Sequence, residues 1–250
     1  MRILISNDDG VTAPGLALLA DAARELSNDV LIVAPERKWT AASHQLTFDR
    51  DQTLTRIDTN AYACSGAPAD CVVAAMTILH AAPALVLSGV NDKQNVGEDI
   101  AYSGTTAIAR EAAFFGVPAI SVSRVGSAVA QASDRDHLGS LLRMLWDRRA
   151  DWALPGHWLG VNLPARLPAA LVEARVGRDK IAGACDVIEA TAARITYRLR
   201  RGRAGTPAPG DENAGLAQGA ATVVRYRWDT SAPLAAGVVA SWQAGGKMCD

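Results

Sequence analysis

In the stretch Ile3-Leu4-Ile5-Ser6-Asn7-Asp8-Asp9-Gly10, a short apolar run ends at two adjacent carboxylates and a glycine. An apolar run of that length bounded by turn residues is the signature of a buried parallel strand, and Gly10 marks the turn that follows. The acidic side chains are left at the strand's carboxyl end, the edge at which open α/β sheets bind ligands. Adjacent carboxylates repel unless a cation or a shared proton lies between them. Hard divalent cations such as Mg²⁺ and Mn²⁺ favour oxygen ligands of this kind. An ordinary Asp-Asp-Gly turn is the competing reading, and within this segment neither prevails.

The strand signature of residues 2–6 recurs at 30–34, 84–88 and 119–123. Helical periodicity fills the intervals at 16–26, 69–79 and 105–115, and again at 136–148, where Leu138, Leu141, Leu142 and Leu145 share a face. Strand-helix alternation of this kind predicts an α/β fold, a Rossmann-like, doubly wound and mostly parallel sheet. Residues 46–64, with Thr, Ile and Tyr among polar residues, read as a β-hairpin excursion. Residues 159–163 read as another core strand, whereas 194–199 and 221–228 read as exposed strands separated by a Gly- and Pro-rich mobile loop at 201–219. The expectation is a single domain over 1–250. Its α/β core occupies about 1–165, and a C-terminal β-rich extension suited to self-association occupies about 166–250.

Composition excludes several classes. A chain of 250 residues, 49% of them hydrophobic, can bury a full core. A formal charge of -1 supplies no global field for nucleic acid or an anionic membrane. Arg194, Arg198, Arg200, Arg201 and Arg203 form a basic cluster that reads as a solvated edge strand, not a nucleic-acid surface. Cys64, Cys71, Cys185 and Cys249 contain no Cys-x-x-Cys pair, and nothing before the first strand resembles a signal peptide. A cytoplasmic location is therefore expected. Residues 71–90 carry no Asp, Glu, Lys or Arg, but His80, Pro83, Ser88 and Gly89 break the run, so no membrane span is predicted.

If the sheet is parallel, three polar loops open at one edge. Asn7, Asp8 and Asp9 follow the first strand; Thr40 and Ser43 lie in the loop after the second; Asn91 and Asn95 follow the strand ending near Ser88. Two carboxylates, a hydroxyl and an amide oxygen then converge on one cation. Ser103-Gly104-Thr105, at a helix start, offers backbone N–H groups and hydroxyls to an anion such as phosphate. Taken singly, each has a plainer role: Thr40 a loop hydroxyl, Asn91 a turn former, Ser103 a helix cap.

These segments resemble the SurE family, the stationary-phase survival proteins that act as 5'/3'-nucleotidases. The matching stretches are Ile3 to Val11 with Ala13-Pro14-Gly15, then Val33-Ala34-Pro35-Glu36-Arg37, Gly66-Ala67-Pro68-Ala69-Asp70-Cys71-Val72, Ser88-Gly89-Val90-Asn91 and Tyr102-Ser103-Gly104-Thr105. They occupy about the first 125 residues, in family order. The resemblance implies metal-dependent hydrolysis of nucleoside 5'- or 3'-monophosphates, with one divalent cation (Mg²⁺ or Mn²⁺) per subunit. It also implies a homodimer or homotetramer, with no membrane and no stable nucleic-acid partner. It places Asp8, Asp9, Thr40 and Asn91 at the metal, with Asp8 and Asp9 catalytic, and Asn95, Ser103, Gly104 and Thr105 on the phosphate side.

The chain is a divergent member by this reading. Thr40 and Ala41 stand where the family has Ser and Gly, and Ala tolerates a left-handed backbone poorly. Asp92 and Lys93 replace small residues after Asn91. Lys93 either binds the substrate phosphate or pairs with Asp92 and crowds the site. The alternative function is a nucleotide-binding or scaffold protein of the same fold with weak or no turnover. A phospho-aspartate phosphatase is disfavoured because the carboxylates are adjacent and not two residues apart. A dehydrogenase is disfavoured because the first turn lacks Gly-x-Gly-x-x-Gly.

Overall fold

The computed structural model describes residues 1–126, 132–178, 183–200, 207–236 and 238–239, with the backbone alone at 132 and 133. Strands β1 (Ile3–Ser6), β2 (Val30–Pro35), β3 (Leu54–Asp58), β4 (Ala61–Cys64), β5 (Leu85–Asn91) and β6 (Ala119–Arg124) alternate with helices α1 (Pro14–Arg24), α2 (Pro68–Thr77) and α3 (Gly104–Phe114). A 3-10 turn (Gly97–Ala101) precedes α3. Then come α4 (Ala132–Asp147), α5 (Arg149–Trp152), β7 (His157–Leu163), β8 (Leu171–Glu173), β9 (Ala184–Ala190), β10 (Ile195–Arg200), α6 (Glu212–Ala217) and β11 (Ala221–Arg227).

Nine of these strands form one sheet in the order β3-β4-β2-β1-β5-β6-β7-β11-β8. From β4 to β7 every neighbouring pair is parallel. Because side chains alternate across a strand, Ile3 and Ile5 enter one core with Leu19 of α1 and Leu142 of α4. Leu4 enters the opposite core with Val72 of α2 and Ile108 of α3. Both faces of β1 are thus covered, which is why its sequence is continuously apolar rather than alternating. The expected doubly wound, Rossmann-like α/β sheet is the observed one. β1 lies between β2 and β5, so the winding direction reverses there and leaves a crevice at the carboxyl ends of β1 and β5.

Several expectations are corrected. The hairpin expected within 46–64 is present as antiparallel β3 and β4, but β4 also joins β2, so the hairpin completes the sheet edge instead of leaving it. Asp70 accepts from the N–H groups of Ala67 (2.7 Å) and Thr47 (3.0 Å), closing the first turn of α2 and tethering that segment. The strand at 221–228 is not an exposed edge: β11 is flanked by β7 and β8, and Ala221, Thr222 and Val224 are buried, while Arg225, Arg227 and Trp228 stay exposed. Strands β8 and β9 were not anticipated, because neither carries a continuous apolar run. Of the expected loop at 201–219, residues 201–206 lie outside the described residues, and α6 occupies Glu212–Ala217. Cys64, Cys71 and Cys185 are free thiols, while Cys249 lies outside the described residues. Among the described residues no helix is long and apolar enough to cross a membrane.

The C-terminal part is tied to the crevice by one carboxylate. Glu212 is fully buried and accepts from the N–H groups of Gly97 (3.1 Å) and Gly177 (3.2 Å) and from the Tyr226 hydroxyl (2.9 Å). Burial pushes its carboxyl up, and the three donors act against that push. Replacing one member of such a network leaves the others unsatisfied, at about 1–3 kcal/mol each. Glu212→Ala is expected to lower unfolding free energy by roughly 3 kcal/mol in urea titrations, with Glu212→Gln losing less. A loss below about 1 kcal/mol for the alanine variant would show that this network contributes little.

Candidate active site at the carboxyl ends of β1 and β5

The turn after β1 is organised by Asn7, whose side chain brackets it from both ends. Nδ2 donates to the Gly10 carbonyl at 3.0 Å, and Oδ1 accepts from the Gly10 N–H at 3.2 Å. Gly10 takes φ 106°, which an L side chain rarely adopts. The loop after β2 closes on this turn: Val11 N–H donates to the Pro35 carbonyl (2.8 Å) and Trp39 N–H to the Asp8 carbonyl (2.7 Å). With the backbone groups satisfied internally, the Asp8 and Asp9 side chains project into the crevice.

Asp8 is 8% exposed and is held by the Thr105 hydroxyl, which donates to its Oδ1 at 2.6 Å. Burial pushes its carboxyl up to about 6; the Thr105 hydrogen bond and Lys38 act against the rise, and Asp9 adds to it. Gly104 permits this approach, since a Cβ there would lie 2.7 Å from the Asp8 Cβ. Ser103 caps α3 by accepting from Thr106 N–H at 3.0 Å. The start of α3 is therefore aimed at the acidic pair, and its dipole favours negative charge there.

On the other side, Asn91 ends β5 and donates Nδ2 to the Lys93 carbonyl at 2.6 Å, leaving its carbonyl oxygen as the acceptor. Asn95 is fixed by residues that were not among the expected site residues. Its N–H donates to Asn162 Oδ1 (2.8 Å), its carbonyl accepts from Asn162 Nδ2 (3.0 Å), and its own Nδ2 donates to Ser123 Oγ (2.8 Å). Asn162 lies in β7 and Ser123 in β6, so two neighbouring strands position one loop residue.

Asp8, Asp9, Thr40, Asn91, Asn95 and Ser103 line one cavity of about 300 Å³. Gly104 and Thr105 do not line it; they stand behind Asp8. Thr105 thus supports a carboxylate where direct phosphate contact was expected. Ala41 adopts φ 55°, so the left-handed turn expected of glycine is kept at the expense of local strain. Asp92 does not pair with Lys93. Its partner is Lys38, at 3.2 Å, and Lys38 also contacts Asp9. Lys38, Trp39 and Tyr102, together with Leu199 and Arg200 of β10, line the cavity as well. Lys38 and Trp39 were legible only through their nearness to Thr40, and no sequence signal brings β10 to this edge.

The donor set is oxygen throughout: two carboxylates, the Asn91 carbonyl and the Thr40 hydroxyl. That chemistry fits a hard divalent cation. Among the described residues no three His, Cys, Asp or Glu side chains group to hold a metal. A cation here would therefore draw on the neutral oxygens and on water beside the acidic pair.

Asp8 gives a test of these electrostatics in protein kept free of metal by chelator. Its folded pKa of about 6 lies above the ordinary value of 3.8, so the folded state binds the proton more tightly. The associated stability is complete below about pH 4 and is lost as pH rises through about 6, a change of roughly 3 kcal/mol. Asp8→Asn is expected to flatten that dependence and to exceed the parent's melting temperature at about pH 8. Identical pH profiles for the two proteins would refute this account of Asp8.

Known proteins resemble this chain in sequence and in fold. The family model described as survival protein SurE matches residues 3–183. A protein of Xylella fastidiosa named 5'-nucleotidase SurE is 47% identical over 126 residues, which are 50% of this chain and 48% of that one. The chain thus spans about half the length of that relative. A Rhizorhabdus wittichii protein of the same name is 41% identical over 184 residues, 70% of this chain and 71% of its own length. The crystal structure of the SurE protein from Aquifex aeolicus superposes with a TM-score of 0.80 at 25% identity, covering 98% of this chain and 100% of that one. With the family model matching residues 3–183 and a relative of that name 41% identical over 70% of the chain, this chain belongs to the SurE family.

Proposed function

We propose that this protein is a phosphomonoesterase that hydrolyses nucleoside 5'- or 3'-monophosphates with the help of one divalent cation, Mg²⁺ or Mn²⁺. The observation that carries the reading is the convergence of Asp8, Asp9, Thr40 and Asn91 on one cavity at the start of α3. The relatives' printed name, 5'-nucleotidase SurE, supports the same reaction class. The cavity volume lies at the lower end of the range for small-molecule sites.

In this reading Asp8, Asp9, Thr40 and Asn91 hold the cation. When bound, the cation polarises a phosphoryl oxygen and acidifies water. Asp8, buried and fixed by Thr105, serves as an immobile ligand. Asp9 borders both the main cavity and a neighbouring one, and in this reading it orients attacking water and takes its proton. The Ser103 hydroxyl at the start of α3 and the second Nδ2 hydrogen of Asn95 border the same cavity and would meet the phosphoryl oxygens, where fixed donors stabilise charge as it develops. Trp39, Tyr102 and Leu199 give the cavity an apolar wall for the nucleoside.

Self-association belongs to the same proposal. β9 and β10 form a two-stranded ribbon separate from the main sheet, and such a ribbon is marginal alone. Val187, Ile195, Tyr197 and Leu199 share one face of it and are all more than half exposed. A second copy of the chain covering this face gives a homodimer or homotetramer. Tyr197→Asp is expected to reduce the mass measured by light scattering; an unchanged mass would remove the ribbon from the interface.

The reaction is tested by phosphate release from a panel of nucleoside monophosphates with Mn²⁺, with Mg²⁺ and with chelator. Release is expected to require metal and to fall by at least about a hundredfold in Asp9→Asn. Metal binding without release from any substrate would favour the second reading, a nucleotide-binding or scaffold protein. The contact of Lys38 with Asp9 is the observation on that side.

A further inference from the structure

Lys38 lies where no cation is expected of a metal-binding carboxylate pair. Its ammonium contacts Asp9, whose side chain is 10% exposed, and reaches Asp92 Oδ2 at 3.2 Å. The lysine is delivered there by the loop after β2, which is clamped to the first turn through the Trp39 N–H to Asp8 carbonyl bond. Lys38, Asp9 and Asp92 together separate two cavities. One is the proposed catalytic cavity; the other, of about 320 Å³, is bordered by Thr12, Pro14, Gly15 and Val90. Lys38 therefore bridges two carboxylates that both border both cavities, and only one of them belongs to the acidic pair. It also has open volume on either side.

We propose that Lys38 is an internal counter-ion that competes with the divalent cation for Asp9, and that Asp92, already paired with Lys38, is the carboxylate that keeps its ammonium when the cation binds. This rests on the metal-site reading given above and adds a residue that sets metal affinity. Two positive charges cannot share one carboxylate at close range without mutual repulsion. Cation binding must therefore shift Lys38 away from Asp9, and the affinity of the acidic pair is lowered by whatever that contact contributes. Asp92 offsets part of the cost because the displaced ammonium keeps one ion pair. Once moved, Lys38 stays at the cavity mouth, where its charge faces an incoming phosphate.

The test is a titration of metal-free protein with Mn²⁺, followed by calorimetry and by the electron paramagnetic resonance of free Mn²⁺. Neither readout depends on turnover. Lys38→Met is expected to bind Mn²⁺ roughly tenfold more tightly than the parent. Lys93→Met removes the same charge from the same cavity and measures the long-range part of the effect, which must be smaller. Asp92→Asn is expected to weaken binding when Lys38 is present, and to do so less in the Lys38→Met background, a coupling that a double-mutant cycle isolates. Lys38→Gln repeats the measurement if the methionine variant folds poorly.

Equal affinities in the parent and Lys38→Met, or an effect no larger than that of Lys93→Met, would overturn the proposal. Strictly additive Lys38 and Asp92 effects would remove Asp92 from this role. Failure of every variant to bind Mn²⁺ would overturn both the proposal and the metal-site reading. Tightened Mn²⁺ binding in a protein that releases no phosphate would uphold Lys38 as competitor while rejecting the nucleotidase reading.

Discussion

Two carboxylates held side by side at the end of an interior strand impose an electrostatic conflict that the surrounding structure is built to contain. Asp8 is almost wholly buried, and its carboxyl is pushed upward by that burial and by Asp9. Thr105 donates a short hydrogen bond from the start of α3, and Lys38 approaches from the loop after β2. Each neighbour relieves part of the repulsion, and each arrives on a different element. The helix start can come so close only because position 104 has no side chain. A divalent cation between the carboxylates would relieve the conflict more fully than any of these neighbours, because it would bring two positive charges to both groups at once.

The topology makes this arrangement possible. With β1 between β2 and β5, the loops leaving those strands diverge above and below the sheet and open a crevice between them. β6 and β7 contribute Ser123 and Asn162, which hold Asn95 without reaching the cavity themselves. The C-terminal part participates through Glu212, which fastens the turn beginning at Gly97 to Tyr226 of β11. Strands on both sides of residue 165 thus share one sheet, and the crevice depends on both.

Much of the core was legible because its signals are local. Continuous apolar runs marked β1, β2, β5, β6 and β7, since strands covered on both faces need no polar alternation. The turn residues at Asn7 to Gly10 and the cap at Ser103 announced themselves by residue type. β8, β9 and α6 were not legible. They are short or polar, and their conformation follows from pairing partners distant in sequence, as for β8 beside β11. β11 was misjudged for the same reason, because its neighbours decide its burial.

The order of residues determined by itself that Asp8 and Asp9 follow a buried strand and that Thr40, Asn91, Asn95 and Ser103 lie at or beyond the ends of apolar runs. Apolar runs and turn chemistry are encoded within a few residues, whereas the parallel pairing that gathers those ends on one edge is tertiary. Only the tertiary structure decided that Thr105 supports Asp8 instead of facing the cavity, that Asp92 pairs with Lys38 instead of Lys93, and that Leu199 and Arg200 reach the cavity wall. These outcomes depend on ångström-scale distances between segments tens of residues apart. Such distances are set by how the two cores pack on either face of the sheet, and no local spacing in the sequence records them.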